Sequence, residues 1–329
     1  MSGAAPANVD RDANDWAEAF EEHRRLLWSL CYRMTGVAAD ADELVQETFL
    51  RAQEARPSRA EPLRPWLVKV AVNLARDALR RRRRREYVGP WLPSPVDLSG
   101  EEVSEKVGTP GGGAGPMTDS PERRLELRDT GSYAFLLAAE ALTPTQRAVL
   151  LLREVMEYSG KEAGEALGIS EGAVKVAHHR ARRALEGLDP DALRPDRAAK
   201  ERAREVLEKF FTAAVMGDTD GMRALLAPDA VSLSDGGGHY YAALRPVRGA
   251  DRVLRLTMGL AQKRPDVTGF EWVEANGLPA VVLRYAGEGR KGKLAPVLVT
   301  RAELDAEGRI RALHSVLAPR KLTRLPAGA

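Results

Sequence analysis

Apolar residues recur every three or four positions through the first half of the chain and at every second position towards its end, which predicts helices first and strands last. Trp16, Phe20, Leu26, Leu27, Leu30, Cys31 and Met34 fit one core-facing helix. Asp40-Ala41-Asp42-Glu43 caps a second, with Leu44, Val45 and Phe49 inward and Glu43, Gln46 and Glu47 on its outer side. The polar, Pro-containing stretch from Arg56 to Pro65 reads as a loop. From Trp66 to about Arg85 a third helix sends Leu67, Val70, Ala71, Leu74 and Ala78 one way and Lys69, Asn73, Arg76 and Arg80 the other.

The stretch from Thr143 to Leu188 carries the strongest local signals. Thr143-Pro144-Thr145-Gln146 combines a Thr N-cap, Pro at the first helical position and Gln placed to complete a capping box. The helix it starts contains Val149, Leu150, Leu152, Val155 and Met156. After a short break come Lys161 to Leu167, Gly168 as the turn residue, Ser170 as the next N-cap and a longer helix from Glu171 to about Gly187. On that helix Val174, Ala177, Ala181, Ala184 and Leu185 form an apolar stripe, while Glu171, Lys175, His178 and Arg182 fall on another face. A small-residue seam and a basic exposed row after a tight Gly turn suit a helix-turn-helix that enters a major groove.

Between these helical parts, Tyr87 to Pro121 is rich in Pro and Gly, includes Gly111-Gly112-Gly113 and shows no periodicity, so it reads as a linker. Its first residues, Tyr87-Val88-Gly89-Pro90-Trp91-Leu92-Pro93, are too apolar for a passive spacer and suggest either docking or local packing on the arginine-rich helix. Asp189-Pro190 and Pro195 mark a second boundary. Beyond it, Arg197 to Gly217 predicts a helix with Val206, Leu207, Phe210, Phe211 and Val215 inward, and a short helix ends at Leu225-Leu226. A helix from Ala250 to Lys263 precedes strands at Gly269 to Glu274, Ala280 to Tyr285, Leu294 to Arg301 and Ile310 to Val316, with turns at Asn276-Gly277 and Glu307-Gly308. Helices followed by a meander give an α+β domain with a curved sheet wrapped on a helix.

With 329 residues, 44% of them hydrophobic, the chain has room for two or three domains. No run approaches the roughly 20 apolar residues of a membrane span. Met1 to Asp10 lacks a signal-peptide pattern, so a cytoplasmic location is expected. The lone Cys31 makes no intrachain disulfide and no Cys/His cluster has zinc spacing, so no metal or cofactor is expected. The net charge of +3 says less than its distribution, which concentrates basic residues from Arg76 to Arg85 and from Lys175 to Arg183. The six arginines Arg80 to Arg85 exceed what a helix C-terminus requires, and they repel one another unless phosphates lie nearby.

Three motifs in order, Asp40 to Arg51, Trp66-Leu67 with Asn73-Leu74-Ala75-Arg76-Asp77, and Gly168 to Lys175 with His179 to Leu185, resemble bacterial extracytoplasmic-function sigma factors. The resemblance implies that Glu43, Gln46 and Glu47 face the clamp of core RNA polymerase. It sets Asn73, Arg76 and Arg80 against −10 promoter DNA, and the Arg56 to Pro65 loop where a flipped-out base is captured. Ser170, Glu171, Lys175, His178, Arg180 and Arg182 would approach the −35 element. Gly160 and Gly164 replace the aromatic and Ala residues expected there; at roughly 1 kcal/mol per interior Gly they predict a loosely packed helix.

The last part is similar to the SnoaL-like cone that one subgroup of these sigma factors carries as a fused regulator. That subgroup has a Trp-Leu-Pro linker motif, an Asp-Gly-Gly-Gly loop and a Pro-containing tail motif. The first two stand at Trp91, Leu92 and Pro93 and at Asp235, Gly236, Gly237 and Gly238, which the resemblance makes interdomain regulatory residues. The third is partial, because Ala318-Pro319-Arg320-Lys321-Leu322 lacks the expected polar and acidic residues.

The chain therefore reads as multidomain. Two all-α helical domains, 11–86 (sigma region 2) and 122–188 (region 4, the helix-turn-helix), are joined by a flexible linker at 87–121 and followed by an α+β SnoaL-like cone at 197–322. The implied function is promoter-specific transcription initiation tuned by the cone, with the core polymerase clamp and flap, promoter DNA and a small ligand of the cone as partners, and no membrane. Two other readings share the motifs: a helix-turn-helix repressor or activator with a metabolite-sensing cone, and a cone enzyme using Asp235, His239, Tyr240 or Tyr241. Three consecutive glycines place Asp235 in a flexible or φ-positive loop, a poor platform for a catalytic base, so no enzyme activity is expected.

Overall fold

The computed structural model describes residues 7–55, 57, 62–85, 87–97, 131–188, 195–287 and 293–325, with side chains from residue 20 onward. Half of the Arg56 to Pro65 loop, Gly111 to Gly113 and the Asp189-Pro190 boundary lie outside these residues, and the last three residues of that expected loop, Leu63 to Pro65, are the first turn of a helix. The chain forms two compact units, one of 1–81, 107–126 and 140–186, the other of 82–106, 127–139 and 187–329.

In the first unit, α1 (Ala7–Thr35), α2 (Ala38–Ala55) and α3 (Leu63–Arg84) follow the predicted order. Leu27, Leu30, Cys31, Ala41, Leu44, Val45, Leu67, Val68, Ala71 and Val72 fill its core. Gly36, at φ 68°, makes the sharp bend that separates α1 from α2, so α2 starts at Ala38 and Asp40 sits in its first turn rather than capping it. Trp28 ties the two helices by donating its indole N–H to Asp42 at 2.9 Å. The buried stripe of α3 runs through Leu67, Val68, Ala71, Val72, Leu74, Ala75 and Leu79, so Val68, Val72 and Leu79 replace Val70 and Ala78. This rotation brings Asn73 and Arg76 to a half-buried boundary.

The same unit holds the helix-turn-helix. Thr143 caps α5 (Pro144–Leu150) with the predicted capping box, and a π-turn, Leu151–Val155, extends it. Ser159 and Glu162 form a second capping box at α6 (Gly160–Leu167), Gly168 ends it in the left-handed region, and Ser170 caps α7 (Glu171–Leu185). The expected looseness of α6 does not occur, because its glycines let the turn close. A Cβ on Gly164 would stand 2.7 Å from the Ile169 carbonyl oxygen, and the Ile169 N–H donates to the Gly164 carbonyl at 3.0 Å.

A short helix that no periodic signal marked, α4 (Tyr133–Ala138), precedes α5, capped by Ser132. It belongs to the second unit. There α8 (Arg197–Met216) and α9 (Thr219–Ala224) lead into β1 (Leu226–Asp235) and the two-residue β2 (Val247–Arg248). Next come α10 (Ala250–Lys263), β3 (Val267–Ala275), β4 (Leu278–Tyr285), β5 (Val297–Leu304) and β6 (Ile310–Val316). The sheet order is β2-β1-β6-β5-β4-β3, with only β1 and β6 parallel.

One sheet face packs Val281, Leu283, Ala302 and Leu313 against Leu207, Phe210 and Ala214 of α8 and Val253 and Leu254 of α10. Val215, expected inward, is 84% exposed, and Ala214 holds the core position instead. The Leu207, Phe210, Ala214 spacing fixes that side of the helix, and Val215 lies about 100° away. The opposite face carries Val273, Ala280, Val282 and Val299, and beside them Val316 packs with Leu92 and Tyr133.

The two α6 glycines should respond differently to alanine. Gly164→Ala pushes a Cβ into backbone and should destabilise the first unit by about 1–3 kcal/mol in denaturant titration. Gly160→Ala meets only the flexible Glu171 side chain, at 3.1 Å, and should be neutral or slightly stabilising.

Candidate functional site

Exposed polar groups on α2, α3 and α7 are the first unit's candidate contact surface. On α2, Glu43 and Gln46 are exposed and Glu47 pairs with Arg51 at 3.0 Å. Leu50, 52% exposed, extends the same outer row and adds an apolar contact that the charge pattern did not mark.

On α3, Arg80 is exposed and paired with Asp77. Asn73 and Arg76 are engaged within the unit. Asn73 donates from its side-chain amide to the Ala166 carbonyl at 2.7 Å, and the Arg76 guanidinium donates to the Leu167 carbonyl at 2.9 Å. Both acceptors lie in the last turn of α6, where carbonyls lack helical partners and the dipole favours a cation. Burial, then the Arg80 charge, lowers the Arg76 pKa.

On α7, Glu171, Lys175 and Arg180 are exposed, with a Glu171–Lys175 pair at 3.0 Å. The Ser170 hydroxyl is occupied as the N-cap of the helix, and Arg182 is half-buried. His178 turns inward, its ring nitrogen 2.5 Å from Glu154 of the π-turn. The exposed basic row is completed by His179 and Arg183, which stand a turn away from Lys175 and Arg180.

In the second unit the linker residues and the glycine loop meet at one carboxylate. Asp235 ends β1 on the face opposite α8 and is fully buried. Its carboxylate accepts from Tyr87 Oη at 2.5 Å, the Leu92 N–H at 2.8 Å and the Gly237 N–H at 3.1 Å. Lys321 lies 2.5 Å away and donates also to the Leu92 carbonyl. The Lys321 ammonium stands over the rings of Tyr87 and Trp91, and Arg82 stacks on Trp91 at 4.7 Å. Trp91 thus both docks and packs on the arginine-rich segment.

The glycines follow from this closeness. A Cβ on Gly237, at φ 56°, would stand 3.0 Å from Ala318, and one on Gly236 would stand 2.8 Å from the Tyr240 carbonyl. Asp235 is therefore held by four donors beside a loop in which Gly237 and Gly238 take positive φ, and the partial tail motif supplies one of the donors. Of the other residues considered for a catalytic role, His239 and Tyr241 are exposed and Tyr240 is half-buried.

The Sigma-70 region 2 family matches residues 19–85, and the Sigma-70, region 4 family matches 132–185. Over 318 residues the chain is 32% identical to the ECF RNA polymerase sigma factor SigJ of Mycobacterium tuberculosis, covering 93% of each chain. This chain belongs to the extracytoplasmic-function RNA polymerase sigma factors. SigL of the same organism, also an ECF sigma factor, is 33% identical over 188 residues, which cover 92% of SigL but 56% of this sigma factor. The crystal structure of Mycobacterium tuberculosis SigJ aligns with a TM-score of 0.63 and 28% identity over 94% of this chain and 99% of that one. The C-terminal SnoaL-like unit is thus part of a fold shared with SigJ. Among the described residues, no helix is long and apolar enough to cross a membrane.

Lys321 is the residue of this sigma factor that sequence reasoning missed most clearly. The only cue was its place in an incomplete tail motif. Lys321→Met leaves the Asp235 carboxylate buried without its cation and should destabilise the second unit by about 3–5 kcal/mol in thermal unfolding. Adding Asp235→Asn should recover much of that loss, because the stranded charge is then gone.

A second titratable group lies on the same sheet face. His314 on β6 is buried beside Arg301 of β5 and stacks on Tyr133 of α4. Burial, reinforced by Arg301 and Arg311, lowers its pKa from 6.5 to about 3. The folded protein therefore resists a proton that the unfolded chain accepts. Stability should be complete above pH 6.5 and fall with pH towards 3, with this group's share of the slope at most about 1.4 kcal/mol per pH unit. Denaturant titrations at pH 7, 6 and 5 should show a smaller acid loss for His314→Gln than for the unsubstituted protein.

Proposed function

We propose that this sigma factor recruits core RNA polymerase to promoters and that its SnoaL-like unit regulates it by clasping its own linker. In this reading 11–86 acts as region 2, 87–121 as the linker, 122–188 as region 4 and 197–322 as the regulator. Glu43, Gln46 and Glu47, with Leu50 beside them, would contact the polymerase clamp. Lys175, Arg180 and Arg182, joined by His179 and Arg183, would approach the −35 element, with Ser170 and Glu171 at the helix start. His178 would act indirectly, by bracing α7 against Glu154.

The observation that carries the regulatory part is the grip on Asp235. Leu92 is held through its N–H by Asp235 and through its carbonyl by Lys321, so the linker backbone is fixed at the Trp-Leu-Pro motif. A linker pinned at one residue cannot sample the separations between two DNA-binding modules that an unpinned one can. Asn73 and Arg76 add a second restraint, since the side chains assigned to −10 DNA cap α6 carbonyls. Engaging DNA would exchange those carbonyls for bases and phosphates, which supports reading this arrangement as a resting form. Full engagement of the Asp235 carboxylate supports a regulatory rather than catalytic cone, and a promoter-binding role places the protein in the cytoplasm.

The test is transcription by purified core polymerase from sheared genomic DNA of the source organism, using the full-length protein and a chain ending at Leu188. Protein-dependent start sites sharing −10 and −35 sequences are expected, with a different yield from the two chains. No core-dependent starts from either, together with tight binding to duplex DNA by the protein alone, would replace this reading with that of a repressor.

A further inference from the structure

The sheet face that carries Asp235 also holds a half-buried charge of opposite sign, Arg301, whose Nε and Nη1 are shut off from water, and that charge has been given no carboxylate. Antiparallel pairing sets Arg301 opposite His314 and Ala302 opposite Leu313. Ala302 and Leu313 enter the core beneath α8 and α10, so Arg301 and His314 project from the other face. Tyr133 closes over both, its ring centroid 3.6 Å from the guanidinium and 5.4 Å from the imidazole. The three side chains, with Asn276 and the linker prolines Pro93 and Pro95, line a cavity of about 10 Å³.

Its polar lining is rich in hydrogen-bond donors without partners. Arg301 Nε and Nη1, Tyr133 Oη and His314 Nδ1 are all buried and make no hydrogen bond in the structure. His314 and Tyr133 are 4% and 5% exposed. Among the described residues, no acidic group forms an ion pair with Arg301; Glu303, two residues along its strand, pairs with Arg311. Guanidinium N–H groups only donate, the tyrosine hydroxyl can donate, and neutral histidine can carry its proton on Nδ1. Buried charges are ordinarily paired, and the ring face of Tyr133 supplies only part of a counter-charge.

We propose that this cavity is a binding site for a halide-sized inorganic anion, held by Arg301 with Tyr133 and His314 as further donors. Size limits the class, because a space near the size of one water admits a single monatomic ion if its lining yields slightly, whereas a metabolite carboxylate would have to displace Pro93 or Pro95. Water would answer the hydrogen bonds but not the charge. The site lies on the sheet face away from the helix-packed interior of the cone. Its walls come from the sheet, the linker and α4, so a bound ion would hold all three together.

Thermal unfolding of the full-length protein is compared in chloride, bromide and gluconate at matched ionic strength. Above the dissociation constant, each tenfold rise in halide should raise the melting temperature by roughly 3–5 °C over gluconate. Arg301→Met should abolish the difference. Crystals grown in bromide should show an anomalous peak between Arg301, Tyr133 and His314. Equal melting in halide and gluconate, a halide effect that survives in Arg301→Met, or a bromide-grown crystal with no anomalous peak in the cavity would each overturn the proposal. If Arg301→Met does not fold, Tyr133→Phe serves in its place with a reduced halide effect expected, and the crystal remains decisive.

Discussion

A carboxylate buried at the end of a β-strand sets the terms for the C-terminal half of this sigma factor. Asp235 has lost its water, so every lone pair must be met from within the protein. The donors come from three remote parts of the sequence: Tyr87 and Leu92 in the linker, Gly237 in the adjoining loop and Lys321 after the last strand. Each is costly to leave out, because the low dielectric that strengthens the completed set also penalises an incomplete one. The neighbouring glycines follow from that demand, since a side chain there would keep the linker and the 318–321 turn from closing in.

The helical unit uses the same economy at lower stakes. Helices end with unpaired carbonyls, and those of α6 are met by Asn73 and Arg76. Groups suited to nucleic acid are equally suited to carbonyl oxygens, so one set of side chains can serve either partner. These contacts are half-buried, whereas Asp235 at the centre of its clasp is fully buried.

Several local signals were read correctly because the physics behind them is local, although the Asp40 cap was not among them. The Thr143 capping box, the Gly168 turn, the Ser170 cap and the Asn276-Gly277 hairpin all depend on residues within a few positions of one another. The face presented by a helix is set by its neighbours, and there the periodic pattern left a choice. On α3 Val68 and Val72 face the core more fully than Val70, on α8 Ala214 displaces Val215, and on α7 His178 folds back onto Glu154. A six-residue helix such as α4 is too short to generate periodicity. Lys321 was illegible for a related reason: its partner lies 86 residues away, and a lysine two residues after a proline carries no local mark of burial. The run of glycines pointed to flexibility or to positive φ; Gly237 and Gly238 take positive φ, and the run also permits close approach.

Leu92 and Lys321 are 229 positions apart. During synthesis at about 5–20 residues per second, the ribosome needs roughly 10–45 s to move from one to the other. Within that interval the helix-turn-helix is completed at Leu185, while the cation that completes the clasp does not yet exist. Each newly made molecule therefore passes through a period in which its linker is unfastened, and the rate of translation fixes how long that period lasts.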